Sequence, residues 1–365
     1  MQGCKKQGNF KNMQSLFNSI QFIFLYYLYR KIRINELFKK KNRLENEDMK
    51  TFTHVKDLGD LKEALKEALE VKNNRFAYQT LGKNKTLLMV FFNSSLRTRL
   101  STQKAAMNLG MNAMVLDVNQ GAWRLETERG VVMDGDKSEH ILEAIPVMGS
   151  YCDIIGVRSF AQFENKADDY NEKILNQFIQ YSGRPVFSME SATTHPLQAF
   201  ADLITIEEYK PKSRPKVVLS WAPHPKVLPQ AVPNSFADFM NEADVDFVIT
   251  HPEGYELDPA FVRGAKVEYN QLKAFKGANF IYAKNWSPFE DANYGRIINS
   301  DRSWTVDTAK MNLTDSAFFM HCLPVRRNMI VTDDVIESPN SIVIPEAANR
   351  EISCEVILKR MLESL

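Results

Sequence analysis

Short apolar runs alternate with segments of helical spacing along most of this chain. Thr86-Leu87-Leu88-Met89-Val90-Phe91 reads as a buried strand, and residues 100–109 read as a helix behind it. Met114-Val115-Leu116 and Ile154-Ile155-Gly156-Val157 read as further short buried strands, with a helix over 140–147 between them. Upstream, Leu61, Ala64, Leu65, Ala68 and Leu69 follow Asp60 at the spacing of an amphipathic helix behind an acidic cap. A second series follows His195. It has a helix over 196–209, strands over 216–220, 246–249, 280–283 and 318–320, and one amphipathic helix over 346–365. Repeated strand–helix alternation predicts α/β architecture with parallel sheets. Two such series in 365 residues predict two domains.

In open α/β sheets, ligands gather at the carboxyl ends of strands. Ser95, Arg158, Lys284 and His321 each follow a predicted strand, and so does the segment from Trp221 to His224. The densest group is Phe92-Asn93-Ser94-Ser95-Leu96-Arg97-Thr98-Arg99. A polar turn between a strand and a helix start brings hydroxyls and backbone N–H groups to a positive helix end, which suits an anion. Arg97 adds a planar fork for phosphate or carboxylate. Alone, this turn is better explained as a helix cap with two surface arginines.

Composition narrows the chemistry. A net charge of +1 gives no case for nucleic acid binding. Cys4, Cys152, Cys322 and Cys354 lack metal or disulfide spacing, which predicts a reducing cytoplasm. The absence of C-x-x-C, H-E-x-x-H, G-x-x-x-x-G-K-[ST] and G-x-G-x-x-G argues against a metalloprotease, a P-loop NTPase and a typical dinucleotide enzyme, and no metal or cofactor is expected. Residues 1–48 differ from the rest: ten Lys and Arg against four Asp and Glu give +6, leaving −5 for the remainder. Their apolar stretch, 22–29, is too short to span a bilayer and is followed by Arg30, Lys31 and Arg33 rather than a cleavage site. No membrane association is expected. The segment reads as a membrane-surface helix, as an extra basic, disordered arm or, the favoured reading, as translated upstream sequence with the true start at Met49, and no catalytic role is expected of it.

Two distant motifs join the first: His195-Pro196-Leu197-Gln198 and His321-Cys322-Leu323-Pro324-Val325-Arg326-Arg327. In this order, the three resemble the aspartate/ornithine transcarbamylase family, in particular its N-acylornithine branch, from about Met49 to the C-terminus. The resemblance implies a carbamoyl phosphate-binding domain over 49–192 plus 345–365 and an acylornithine-binding domain over 193–344. Its C-terminal helix would cross back to the first domain. It implies Arg97, Arg158, His195 and Cys322 as the catalytic set. Ser95, Leu96, Arg97 and Thr98 would hold the phosphate. Arg158 and His195 would donate to the carbamoyl oxygen, where charge grows in the transition state. Gln198 would bond the carbamoyl amide, and Cys322, Leu323 and Arg350 would complete the shell. Cys322 lines the site rather than attacking, because no paired base accompanies it. Trp123, in a loop, would reach a neighbour's site in a homotrimer with shared active sites and bind carbamoyl phosphate there.

The acceptor is read from departures within the family. Where ornithine enzymes carry an Asp for the free α-ammonium, followed by Ser-Met-Gly, this chain has Lys284-Asn285-Trp286-Ser287-Pro288. A lysine repels an ammonium and attracts a carboxylate, so the α-amine of the substrate is expected to be acylated. Glu190 and His224 would touch the substrate amide and amine, and Arg326 a carboxylate. Acetyl-handling relatives tend to carry Glu after Asp-Gly-Asp, and succinyl-handling ones Pro; here Ser138 stands in Asp134-Gly135-Asp136-Lys137-Ser138. The expectation is carbamoyl transfer to N2-succinyl-L-ornithine, with N2-acetyl-L-ornithine as the alternative.

Overall fold

The computed structural model describes residues 48–118 and 123–365. The basic segment, apart from Asp48, therefore lies outside the described residues, as does Gln120-Gly121-Ala122 before Trp123. In chain order the elements that position the site are β1 (Thr51–Phe52), α1 (Leu61–Asn73), β2 (Thr86–Phe91), α2 (Arg97–Asn108) and β3 (Asn112–Asp117). Next come β4 (Leu125–Glu126), β5 (Glu139–His140), α3 (Ile141–Ser150), β6 (Ile154–Arg158), α4 (Lys173–Tyr181) and β7 (Val186–Glu190). The second series is α5 (Pro196–Tyr209), β8 (Lys216–Trp221), α6 (Ala231–Glu242), β9 (Asp246–Thr250), β10 (Lys266–Val267), β11 (Phe280–Lys284), β12 (Phe318–Met320) and α7 (Val343–Glu363).

Among the described residues, two five-stranded parallel sheets form, in the orders β1-β7-β6-β2-β3 and β10-β9-β8-β11-β12. This is the two-domain α/β fold that the alternation predicts. β2 shows why its sequence is an unbroken apolar run. Leu87, Met89 and Phe91 enter a core with Ala105, Ala106 and Leu109. Leu88 and Val90 enter a separate core with Ile145 and Phe178. Alternate residues thus meet helices on opposite faces, as in a sheet covered on both sides.

The helix over 61–72 is α1, and the Asp60 carboxylate accepts from the Lys62 and Glu63 amides at 2.8 and 3.2 Å. Met114-Val115-Leu116 needs correction. It is a strand, but not a buried one: β3 pairs only with β2 at the sheet edge, and Met114 is 38% exposed. Periodicity cannot separate an edge strand from a central one. Among the elements that the sequence reading does not predict, β7 and α6 matter most for the site. β7 is interrupted by Ser188, and α6 is buried along nearly its whole length, which erases the polar face that marks a helix.

The last helix begins earlier than the sequence suggests, at Val343, because Pro345 is compatible with a first helical turn. It packs on α5, α2 and α1. Asn108 donates to Glu351 and Glu355 at 2.7 and 2.9 Å, while Lys359 and Arg360 bind Glu67 at 2.8 and 2.7 Å. The C-terminal helix therefore returns to the helices that flank the first sheet. No helix among the described residues is long and apolar enough to cross a membrane.

Candidate active site

Strand ends and helix starts from both sheets meet at one cluster. β2 runs into the turn that starts α2, with Leu96 as its cap residue and Ser95 Oγ accepting from the Thr98 amide at 3.3 Å. Ser95 thus does part of a cap's work, yet the turn is not only a cap. Thr98 is buried, and its Oγ1 accepts from Arg158 at 3.2 Å and from Arg350 at 2.7 Å. With both lone pairs engaged, its one O–H hydrogen must be donated elsewhere.

Arg158 ends β6. A register shift between Val157 and Arg158 sets it opposite Glu190 on β7, and its guanidinium donates to the Glu190 carboxylate. The Phe160 ring lies under the same guanidinium, 4.5 Å away. His195 precedes α5 and is buried; its amide donates to Ser235 Oγ at 2.7 Å. Its Nε2 lies 3.3 Å from Arg350 and 3.4 Å from Glu190. Arg350, on α7, also donates to Gln198 Oε1. Five elements therefore bring Thr98, Arg158, Glu190, His195, Gln198 and Arg350 into direct contact.

The charges do not balance. Arg97, Arg158 and Arg350 lie close enough to repel one another, whereas Glu190 alone is ion-paired within the cluster. Burial, then repulsion by Arg158, lowers Arg350 to about 10. Burial also lowers Arg97, and Arg158 adds to that effect. The Nε atoms of Arg97, Arg158 and Arg350 are buried without a hydrogen-bond partner. Crowded cations with unused donors form a site for a small, highly charged anion. Burial, then Arg350 and Arg158, holds His195 well below the usual imidazole range. The ring is therefore neutral near pH 7, and its Nδ1 has no protein partner.

The second sheet contributes the other wall. His321 and Cys322 are buried after β12, and Leu323 takes a left-handed backbone (φ 53°). The Leu323 amide donates to His321 Nδ1 at 2.8 Å, which withdraws that N–H from any ligand. Burial raises the Cys322 thiol, so it is a poor nucleophile. Lys284 ends β11 within electrostatic range of His195, His321, Cys322 and His224. The His224 ring is turned into its own loop, with Nδ1 at 2.9 and 3.1 Å from the Lys226 oxygen and amide. Arg326 is exposed near His224. Leu96 is 69% exposed and offers only its backbone to a ligand.

Trp123 and Ser138 stand apart. Trp123 is 58% exposed and donates to Glu139 at 2.8 Å, and the Ser138 amide donates to the Arg124 carbonyl at 3.1 Å. Among the described residues, no hydrogen bond links either of them to the cluster.

Sequence reasoning missed Asp202, Glu346 and Tyr282, which lie buried directly behind Gln198. A usable signal existed. Asp202 stands four residues after Gln198, and Glu346 four before Arg350, each on a helix face shared with a site residue.

The chain is similar to known proteins along most of its length. Residues 50–208 match the aspartate/ornithine carbamoyltransferase carbamoyl-P binding domain, and residues 229–361 the Asp/Orn binding domain of the same family. An N-succinylornithine carbamoyltransferase of Bacteroides fragilis (strain 638R) is 74% identical over 317 residues, covering 87% of this chain and 100% of that protein. An N-acetylornithine carbamoyltransferase of Xylella fastidiosa (strain 9a5c) is 38% identical over 305 residues, covering 78% of this chain and 90% of the relative. A crystal structure of an N-acetyl-L-ornithine transcarbamylase mutant, complexed with carbamyl phosphate and N-succinyl-L-norvaline, superposes with a TM-score of 0.79 at 35% identity, covering 86% and 99% of the two chains.

Proposed function

The chain belongs to the aspartate/ornithine carbamoyltransferase family, and from that premise we infer that it transfers the carbamoyl group of carbamoyl phosphate to the δ-amine of N2-succinyl-L-ornithine. The products are N2-succinyl-L-citrulline and phosphate. The observation that carries the donor half is the crowding of Arg97, Arg158 and Arg350 against a single ion-paired carboxylate, Glu190. A phosphate dianion supplies the charge they lack. The acceptor half rests on Lys284 at the end of β11, supported by the 74% identity to N-succinylornithine carbamoyltransferases.

The proposed division of labour is as follows. Ser95, the amides of Leu96 and Arg97, the Arg97 guanidinium and Thr98 hold the phosphate. Arg158 and the neutral His195 donate to the carbamoyl oxygen. The neutral δ-amine adds to the carbamoyl carbon, and negative charge collects on that oxygen beside Arg158. The C–O bond to phosphate then breaks, and the departing phosphate can take the amine's proton. Positioning and electrostatics suffice, so no protein nucleophile is required. Gln198 bonds the carbamoyl amide, while Cys322, Leu323 and Arg350 complete the shell. Glu190 aligns Arg158 and faces the substrate amide; Lys284 and Arg326 receive carboxylates, and His224 the amine side.

The domains are proposed as 49–192 with 345–365 for carbamoyl phosphate and 193–344 for acylornithine. A homotrimer in which Trp123 and Ser138 serve a neighbouring site would account for their exposure and for the lack of a hydrogen bond to the cluster among the described residues. Arginine biosynthesis in the cytoplasm is the proposed setting. Succinyl is favoured over acetyl because Ser138 adds no negative charge to that loop. A transcarbamylase mutant complexed with N-succinyl-L-norvaline supports the reading that the fold accepts a succinyl group.

The test is citrulline-derivative formation from carbamoyl phosphate, with kcat/KM compared for L-ornithine and its N2-acetyl and N2-succinyl derivatives. The expected order places succinyl first and ornithine last. Preference for acetyl would overturn the acceptor reading, and no turnover would overturn the function.

A further inference from the structure

Behind Gln198 lie two carboxyl groups that the mechanism above does not use. Asp202 and Glu346 are both 0% exposed. Gln198 Nε2 donates to Asp202 Oδ1 at 2.7 Å and lies 3.5 Å from Glu346 Oε1. Glu346 Oε2 accepts from the His321 amide at 2.9 Å. Asp202 adjoins both Glu346 and the Tyr282 hydroxyl, although its Oδ2 and that hydroxyl lack a well-formed hydrogen bond. The pair therefore touches α5, α7, β11 and the turn after β12, all of which carry site residues.

A glutamine amide has two ends of nearly equal shape, and only its hydrogen bonds decide which way it points. Arginine can only donate, so the end that faces Arg350 is Oε1. The carboxyl pair accepts, so the end that faces it is Nε2. Two buried, adjoining carboxyls cannot both be ionised, and a proton shared between them leaves acceptor oxygens for Gln198 and for the His321 amide. Burial raises Asp202 to about 7, and burial and then Asp202 raise Glu346 well above the usual carboxylate range. Around the pair stand Gln198 and Asp202 on α5, Glu346 and Arg350 on α7, Tyr282 on β11, and His321 and Cys322 after β12.

We propose that the Asp202–Glu346 pair is a positioning element that fixes the Gln198 amide with its oxygen toward the site, so that the donor substrate is recognised by its –NH2 group. The proposal rests on the Gln198 role assigned above. Oε1 has a second lone pair besides the one taken by Arg350, and a carbamoyl N–H fills it. An acetyl group has the same shape but offers a methyl there, leaving a buried acceptor unpaired.

The test uses the full-length assembly and the affinities of three ligands: carbamoyl phosphate, acetyl phosphate and inorganic phosphate. The wild-type protein is expected to prefer carbamoyl over acetyl phosphate. Asp202→Leu should erode that preference about tenfold while leaving phosphate binding unchanged. Asp202→Asn keeps an acceptor oxygen and should restore most of it. Should the leucine variant fail to fold, Asp202→Ala reads the same loss. An unchanged preference in the leucine or alanine variant, or equal weakening of all three ligands, would overturn the proposal. Wild-type turnover of acylornithine is measured alongside: its absence sinks the proposed function itself, whereas its presence with an unaltered Asp202→Leu preference sinks only this inference.

Discussion

The turn from Ser95 to Thr98 and the loop from Trp123 to Ser138 both carry motif residues, and they are built in opposite ways. The first feeds a buried cluster in which Thr98, Arg158, His195, Gln198 and Arg350 hold one another through direct hydrogen bonds. The second is an exposed surface. Its Arg124–Asp136 and Lys137–Glu126 ion pairs, and the Trp123–Glu139 bond, join the loop to itself. On the proposed function, the difference separates two tasks. Stabilising charge at a reacting centre needs donors fixed in advance, away from water. Choosing among acyl tails needs a wall that can vary without disturbing those donors.

The largest effects should fall on the buried side. Arg158→Met removes a donor to the carbamoyl oxygen and leaves Glu190 buried without its ion pair; kcat should fall about 10²–10³-fold. A loss below tenfold would remove Arg158 from the chemistry. Lys284→Ala should raise KM for N2-succinyl-L-ornithine about 10–100-fold with little change for carbamoyl phosphate. Equal weakening of both would break the assignment of β11 to the acceptor. On the exposed side, Ser138→Glu should lower kcat/KM for the succinyl substrate about tenfold relative to the acetyl one, through like-charge repulsion. Trp123→Ala should cost somewhat less, roughly threefold to tenfold in kcat/KM, with Tm unchanged because the indole buries little surface within its own chain.

Protonation sharpens the same contrast. His195 and His321 are both held well below 6.5 by burial, with nearby cations adding to the effect. The unfolded chain therefore binds more protons below pH 6.5. Their contribution to stability is present above that value and is lost as pH falls. Asp202 and Glu346 act in the opposite sense. Their folded values are raised, so their contribution is present at low pH and fades as pH rises toward and through about 7. Ring-nitrogen NMR should find His195 neutral at pH 6.5; a midpoint at or above 6.5 would contradict the electrostatic account of the cluster.

Much of this was legible in the sequence because strands and helices carry different periods. β2, α5 and the strand–turn–helix at Ser95 follow directly from residue spacing, and the motifs contain Thr98, His195 and Gln198 of the residues that the fold brings together. β3 was misjudged as buried because edge and centre differ in neighbours, not in pattern. β7 and α6 escaped because burial on all sides removes the contrast on which periodicity depends. The partners of a buried guanidinium are set by tertiary packing. That Thr98 accepts from both Arg158 and Arg350 emerges only when α2 and α7 lie together, 252 residues apart in sequence for Thr98 and Arg350. Asp202 and Glu346 read as ordinary helix carboxylates until the fold buries them.

The central proposal is that each site is finished by the Trp123 loop of a neighbouring chain. Co-assembly of Arg158→Met chains with Trp123→Ala chains tests it most directly. In mixed assemblies, some sites would combine an intact Arg158 with an intact Trp123 from the adjacent subunit. The account predicts activity clearly above the sum of the two parents at matched concentration. Activity no greater than that sum would contradict it and return Trp123 to its own chain's surface.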